Sequence, residues 1–125
     1  MYVMARVEEN LNGDTFVRFS GFVFKRKIAG ATLVMYRTAS RLVANLEDVE
    51  VVERERGKGY GKRLLLRLMG YLQAYARERG EQIELKFTSR PSRVEANRLY
   101  QSLGFQLMAV ATPGGTNLYK MTISP

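Results

Sequence analysis

The segment Val49–Leu65, V-E-V-V-E-R-E-R-G-K-G-Y-G-K-R-L-L, places the turn Arg56-Gly57-Lys58-Gly59-Tyr60-Gly61 between an extended run and an apolar-periodic one. Glycines remove Cβ atoms, so the backbone there can turn tightly and come close to a ligand. A helix that starts at such a turn offers unpaired N–H groups and a partial positive charge, which suit a phosphate or pyrophosphate. Lys58, Lys62 and Arg63 crowd the same end, where acids would stabilise the helix better. Bases at that end make sense once an anion sits among them. Nucleotide hydrolysis is disfavoured, because a Walker loop needs Ser or Thr after its Gly-Lys and this chain has Arg63. The glycines fall as G-x-G-x-G, which does not fit a dinucleotide fingerprint. The bland alternative is a tight turn before a core helix.

The chain has no cysteine and no histidine, so thiol nucleophiles, disulfides and ordinary zinc sites are ruled out and no metal is expected. Acid–base work must fall to carboxylates, Tyr, Lys or ordered water. Acids gather at Glu47, Asp48 and Glu50 on the run that leads into the glycine turn. Simple alternation puts Glu47, Val49 and Val51 on one face of that strand and Asp48, Glu50 and Val52 on the other.

These groups need a scaffold. Met1–Val7 alternates weakly and reads as a first strand, and Glu8–Ser20 carries the turn signal Asn12-Gly13-Asp14. Gly21–Lys27 and Ala29–Arg37 read as a hairpin turning near Ile28–Gly30, with Phe22 and Phe24 on its core face. Leu42–Val52 is extended. Leu64, Leu65, Leu68, Leu72 and Tyr75 or Ala76 recur at helical spacing, and Gly80 stands where a helix would end. Gln82–Phe87 is a short strand. A second helix starts after Pro91, with Val94, Leu99 and Leu103 as its buried stripe, and stops at Gly104. Phe105–Ala111 and Asn117–Ile123 form a last hairpin around Pro113-Gly114-Gly115. The order is mixed α/β, with one right-handed crossover that forces a parallel strand pair.

With 125 residues and 46% hydrophobic content the chain fits one domain, 1–125, with one core. No apolar run approaches the roughly 18–20 residues that span a bilayer, so no membrane association is expected. Met1–Val7 lacks a basic region followed by a long apolar core, and a cytoplasmic location is the default reading. The net charge of +8 attracts polyanions, whether nucleic acid, anionic membrane or a phosphorylated cofactor, but does not choose between them.

The glycine turn resembles the signature Q/R-x-x-G-x-G/A of the GNAT acetyltransferase family, through Arg56, Gly59 and Gly61. Downstream, Ala96 to Phe105 is similar to the family's A-x-x-x-Y-x-x-x-G-F segment, and Thr88–Tyr100 and Thr116–Tyr119 resemble a bacterial subgroup. The likeness runs from about Gly21 to Tyr119. It implies a GNAT fold: a mixed, mostly antiparallel sheet splayed at a central parallel pair. It implies acetyl-CoA as cofactor, an N-acetyltransferase activity, and a small-molecule or peptide amine as acceptor. On this resemblance the N–H groups from Gly57 to Lys62, including Lys58, Gly59, Tyr60 and Gly61, with Arg56 beside them, hold the pyrophosphate. Val51 and Val52 line the pantetheine, an N–H near Val51 is the oxyanion donor, and Asn97 is a further cofactor contact. Tyr100 matches the catalytic tyrosine and is the acid; Glu47 is the first candidate base, with Asp48, Glu50 or water as alternatives.

Two departures stand out. Glu8–Ser20 is too short for the two helices the family usually places there, so a reduced N-terminal helical region and an open acceptor side are expected, unless a homodimer completes it. Arg93 stands where the family often has Asn, three residues before the helix alanine. Two other readings compete. One is a catalytically silent acetyl-CoA binder, against which the retained Tyr100 argues. The other, less favoured, is a basic nucleic-acid module resting on Phe22, Phe24, Lys25, Arg26 and Lys27.

Overall fold

A computed structural model describes residues 1–10, 13–110 and 114–125. Asn12 and Pro113, which belong to the turns expected at 12–14 and 113–115, lie outside the described residues, as does Ala111. The strands are β1 (Tyr2–Glu9), β2 (Thr15–Val23), β3 (Arg26–Arg37), β4 (Leu42–Val51), β5 (Ile83–Ser89), β6 (Gln106–Ala109) and β7 (Asn117–Ile123). The helices are α1 (Tyr60–Arg79) and α2 (Val94–Ser102), and a 3-10 turn occupies Glu53–Glu55. One sheet runs β1-β2-β3-β4-β5-β7-β6, antiparallel except for the parallel β4–β5 pair that flanks the α1 crossover. This is the expected mixed fold. Before β4 the described residues form strands and no helix, which agrees with the reduced N-terminal region.

The register puts both helices on one face. Phe19 opposes Ala31, Leu33 opposes Leu46 and Leu42 opposes Ile83, and directly paired residues share a face. Phe19 meets Tyr71 of α1 edge-on at 5.6 Å, and Phe87, on the same side of β5, meets Tyr100 of α2 at 4.6 Å. The core lies between, built on the buried Leu64, Leu65, Leu68, Leu72 and Ala76 stripe of α1. Gly80 ends α1 in the left-handed region, as its position predicts. The other sheet face carries Arg18, Thr32, Asn45, Lys86 and Lys120, with no helix among the described residues over it. No described helix is long and apolar enough to cross a membrane.

Three local expectations are corrected. The first hairpin turns at Phe24–Lys25, not near Ile28–Gly30, and β2 begins at Thr15, inside the stretch read as a turn region. Both turn residues have positive φ, 49° and 69°, and Phe24 is 94% exposed at the tip rather than on a core face. Gly30, which looked like the turn glycine, lies within β3; a Cβ there would stand 3.1 Å from the Arg18 guanidinium. Finally, the buried residues of α2 are Asn97 and Tyr100, while Val94 is exposed and Leu99 and Leu103 are half-buried. The helix is rotated so that its tyrosine, not its leucine stripe, fills the space over β5.

Candidate active site

β4 and β5 pair only from Leu42 to Asn45 against Ile83 to Lys86. Beyond that β4 continues to Val51 and β5 to Ser89 without bridging, so the sheet opens between them. Val52 donates its N–H to the Ile28 carbonyl at 2.8 Å. Val51, paired with Ala29, is therefore the non-hydrogen-bonded kind of partner, and its own N–H and C=O turn away from β3 into the opening. The Val51 carbonyl accepts from Arg56 Nε at 2.9 Å, which leaves the N–H side for a ligand.

β4 also carries a bulge. Thr32 opposes Glu47 and Gly30 opposes Glu50, so Asp48 and Val49 together face Ala31 alone. Asp48 takes up the extra residue at φ 53°, a conformation Asp tolerates better than most. Because Thr32 and Gly30 share a face, Glu47 and Glu50 do too, and the simple alternation expected for these acids fails. Both point to the face bare of helices. Glu50 lies 3.8 Å from Arg18, which also donates to the Thr32 hydroxyl at 2.6 Å.

On the helix side the opening widens into a cleft of about 840 Å³. One end is the start of α1. Gly57 and Gly59 have φ of 79° and 83°, and no atom stands within 4 Å of where a Cβ would be. Gly61 lies in the first turn, packed on Val51. The helix has no side-chain cap and no acid in its first turn. The glycine at the N-cap supplies no side-chain acceptor and leaves the first-turn N–H groups for something else to satisfy. Arg56, Tyr60 and Lys62 line the same end.

The other end is formed by the start of α2, from Ser92 to Ala96, and by Tyr100. Tyr100 sits among Phe87, Phe105 and Tyr119, at 4.6, 6.3 and 5.5 Å between ring centres. Burial pushes its phenol above the ordinary tyrosine value, the Arg93 guanidinium pulls it back, and Tyr119 adds to the rise.

The cleft thus brings Tyr100 together with Val51, Arg56, Gly57, Gly59, Tyr60, Gly61 and Lys62. Four expected residues do not line it: Glu47, Val52, Lys58 and Asn97. Glu47 is on the bare face. Val52 is tied to Ile28. Lys58 donates to Glu55 at 2.9 Å, which holds that carboxyl below the usual range. Asn97 is buried: its amide donates to the Arg90 and Arg93 carbonyls at 2.9 and 2.7 Å, and its oxygen accepts from Tyr119 at 2.5 Å. Those bonds occupy the groups expected to face the cofactor. Conversely Val49, Glu50, Arg93, Glu95 and Leu99 line the cleft. Of these, Glu50 was already an alternative base, and Arg93 stood out as the departure from the family's Asn, two helical turns before Tyr100.

Comparison with known proteins fits this geometry. The model of an Acetyltransferase (GNAT) domain matches residues 12–107. No curated protein matches the chain. Among solved structures, the ribosomal-protein-S18-alanine N-acetyltransferase from Escherichia coli is 23% identical, with TM-score 0.66, covering 88% of this chain and 70% of that one. A GNAT-family acetyltransferase from Streptococcus pneumoniae is 18% identical at TM-score 0.75, covering 87% and 67%. Arabidopsis thaliana NAA60 in complex with acetyl-CoA is 14% identical at TM-score 0.69, covering 98% and 99%. At these identities the structures speak for a shared fold.

Proposed function

The chain belongs to the GNAT acetyltransferase family, and from that footing we propose that it is an N-acetyltransferase that moves an acetyl group from acetyl-CoA to a primary amine by direct attack, with both substrates bound. The observation that carries the reading is the single cleft that joins an uncapped helix start to a buried phenol. The residues present fit acetyl-CoA. Gly57 and Gly59 leave open space for a pyrophosphate, the N–H groups of α1's first turn would hold it, and Lys62 adds charge. Val51 would meet the pantetheine arm with the backbone it turns into the opening. Bound acetyl-CoA would supply the thioester from which the acetyl group leaves.

The amine would arrive from the bare face, where Glu47 and Glu50 stand together. Glu50, which also lines the cleft, or Glu47, would take its proton directly or through water. The Val51 N–H would stabilise charge on the carbonyl oxygen. Tyr100 gives a proton to the departing thiolate, a step general acids accelerate by about 10²–10⁴-fold. The acceptor class is a small-molecule or peptide amine. The name of the Escherichia coli enzyme, which specifies an alanine of a ribosomal protein, supports the peptide side of that range. Residues 1–125 act as one acetyltransferase domain in this reading, with one core cluster behind the cleft.

Calorimetric titration with acetyl-CoA, followed by thiol release with a panel of amines, tests the proposal. Micromolar binding that Lys62→Glu weakens is the expected result. A folded protein that fails to bind acetyl-CoA would remove it.

A further inference from the structure

We infer that Arg93 is a positioning residue for Tyr100, fixed at the start of α2 so that its guanidinium offsets the charge that builds on the phenol as it gives up its proton. The inference rests on the acid role proposed for Tyr100.

The geometry follows from the helix. Arg93 is the residue that opens α2, and Tyr100 lies two turns further on, so both project from the same side. Helical side chains lean toward the N-terminus, so the Tyr100 hydroxyl reaches back along the helix toward Arg93. Between them on that side lies Ala96, whose lone methyl leaves room for the long arginine chain. All three line the cleft.

Arg93 is also anchored. Its N–H donates to the Arg90 carbonyl at 3.0 Å. Its own carbonyl accepts twice from Asn97, from the backbone N–H at 2.9 Å and from the side-chain amide at 2.7 Å. Asn97 is held in turn by Tyr119. The buried asparagine therefore serves the site at one remove, by fixing the backbone from which Arg93 projects.

The need for a cation comes from the box around the ring. Phe87 of β5 and Phe105 are apolar, and Tyr119 of β7 gives its hydroxyl proton to Asn97 rather than to the phenol. A phenolate formed there has little solvation, and a guanidinium stays charged throughout the working pH range. The other charged groups lining the cleft are Glu50, Glu55, Arg56, Lys62 and Glu95. Arg93 is the charged group that lowers the phenol. Where the family pattern often has a neutral Asn, this chain carries a full charge.

The test uses Arg93→Gln, Arg93→Lys and Tyr100→Phe in protein labelled with ¹³C-tyrosine. The Tyr100 resonance is identified by its loss in Tyr100→Phe. In Arg93→Gln the Tyr100 resonance should titrate at higher pH than in the parent. Its kcat should fall on the order of tenfold, and the alkaline limb of the rate profile should move in the same direction. KM for acetyl-CoA should stay within about twofold, and Arg93→Lys should restore part of both effects. An unmoved Tyr100 titration, or a rise in KM alone, would overturn the inference and leave Arg93 as a cofactor contact. If Tyr100→Phe keeps its kcat, the acid role falls and this inference with it. If Tyr100→Phe loses activity while Arg93→Gln leaves the titration in place, this inference alone falls.

Discussion

Gly59 and Gly80 cap the two ends of α1 in the same left-handed region, with φ of 83° and 63°, and neither has an atom within 4 Å of its absent Cβ. Alanine at either position therefore meets no clash, and the cost comes from φ alone, about 1–2 kcal/mol. A small gain from the stiffer unfolded chain offsets part of it. Each variant should lose about 1 kcal/mol in urea unfolding, or roughly 3–6 °C in Tm for a chain of this size. Stability alone cannot tell the two apart, but binding should. The open space at Gly59 lies in the cleft, beside the free N–H groups of the first turn, whereas Gly80 lies at the far end of the helix. If a phosphate uses those groups, Gly59→Ala forfeits about one charge-assisted hydrogen bond, 1.5–3 kcal/mol, or about 10–150-fold in Kd for acetyl-CoA. Gly80→Ala should bind as the parent does. Equal stability losses with equal, undiminished affinities would refute the phosphate-cradle argument, because the glycine would then serve the turn alone.

Other outcomes follow from particular contacts. The hairpin tip holds Phe24 and Lys25 where Asn-Gly is preferred, so Phe24→Asn with Lys25→Gly should raise unfolding free energy by about 1–2 kcal/mol and leave acetyl transfer unchanged. Asn97→Ala strips partners from the Tyr119 hydroxyl and two carbonyls, and should cost about 2 kcal/mol in chemical denaturation. Glu84 is held below the ordinary carboxylate range by Arg41 and then by burial-opposed Lys120 contacts. Its folded value is the lower one, so its contribution is present above the ordinary carboxylate range and is lost as pH falls through that range and below it. Stability measured across that window should fall less steeply in Glu84→Gln.

Much of the site was legible because it is local. The glycine turn, the cations around it and the apolar period after it are neighbours in the chain, and backbone rules alone make them a helix start that suits an anion. The leucine stripe of α1 and its Gly80 cap were legible for the same reason. Tyr100 was singled out as the candidate acid by the family pattern and not by periodicity, which pointed to the wrong stripe of α2.

Pairing across the sheet decided the rest. The turn at Phe24–Lys25 has no turn residues to announce it; it is held where it is by the register of β2 on β3 and of β3 on β4. The bulge at Asp48 adds one residue and thereby turns Glu50 to the side of Glu47, and nothing near it in sequence marks that shift. Asn97 looks like a cofactor contact until Tyr119, distant in the chain, is packed against it. Local backbone chemistry depends on adjacent residues and can be read from them. The phase of a strand, and the direction in which a polar side chain is used, depend on what folding brings opposite.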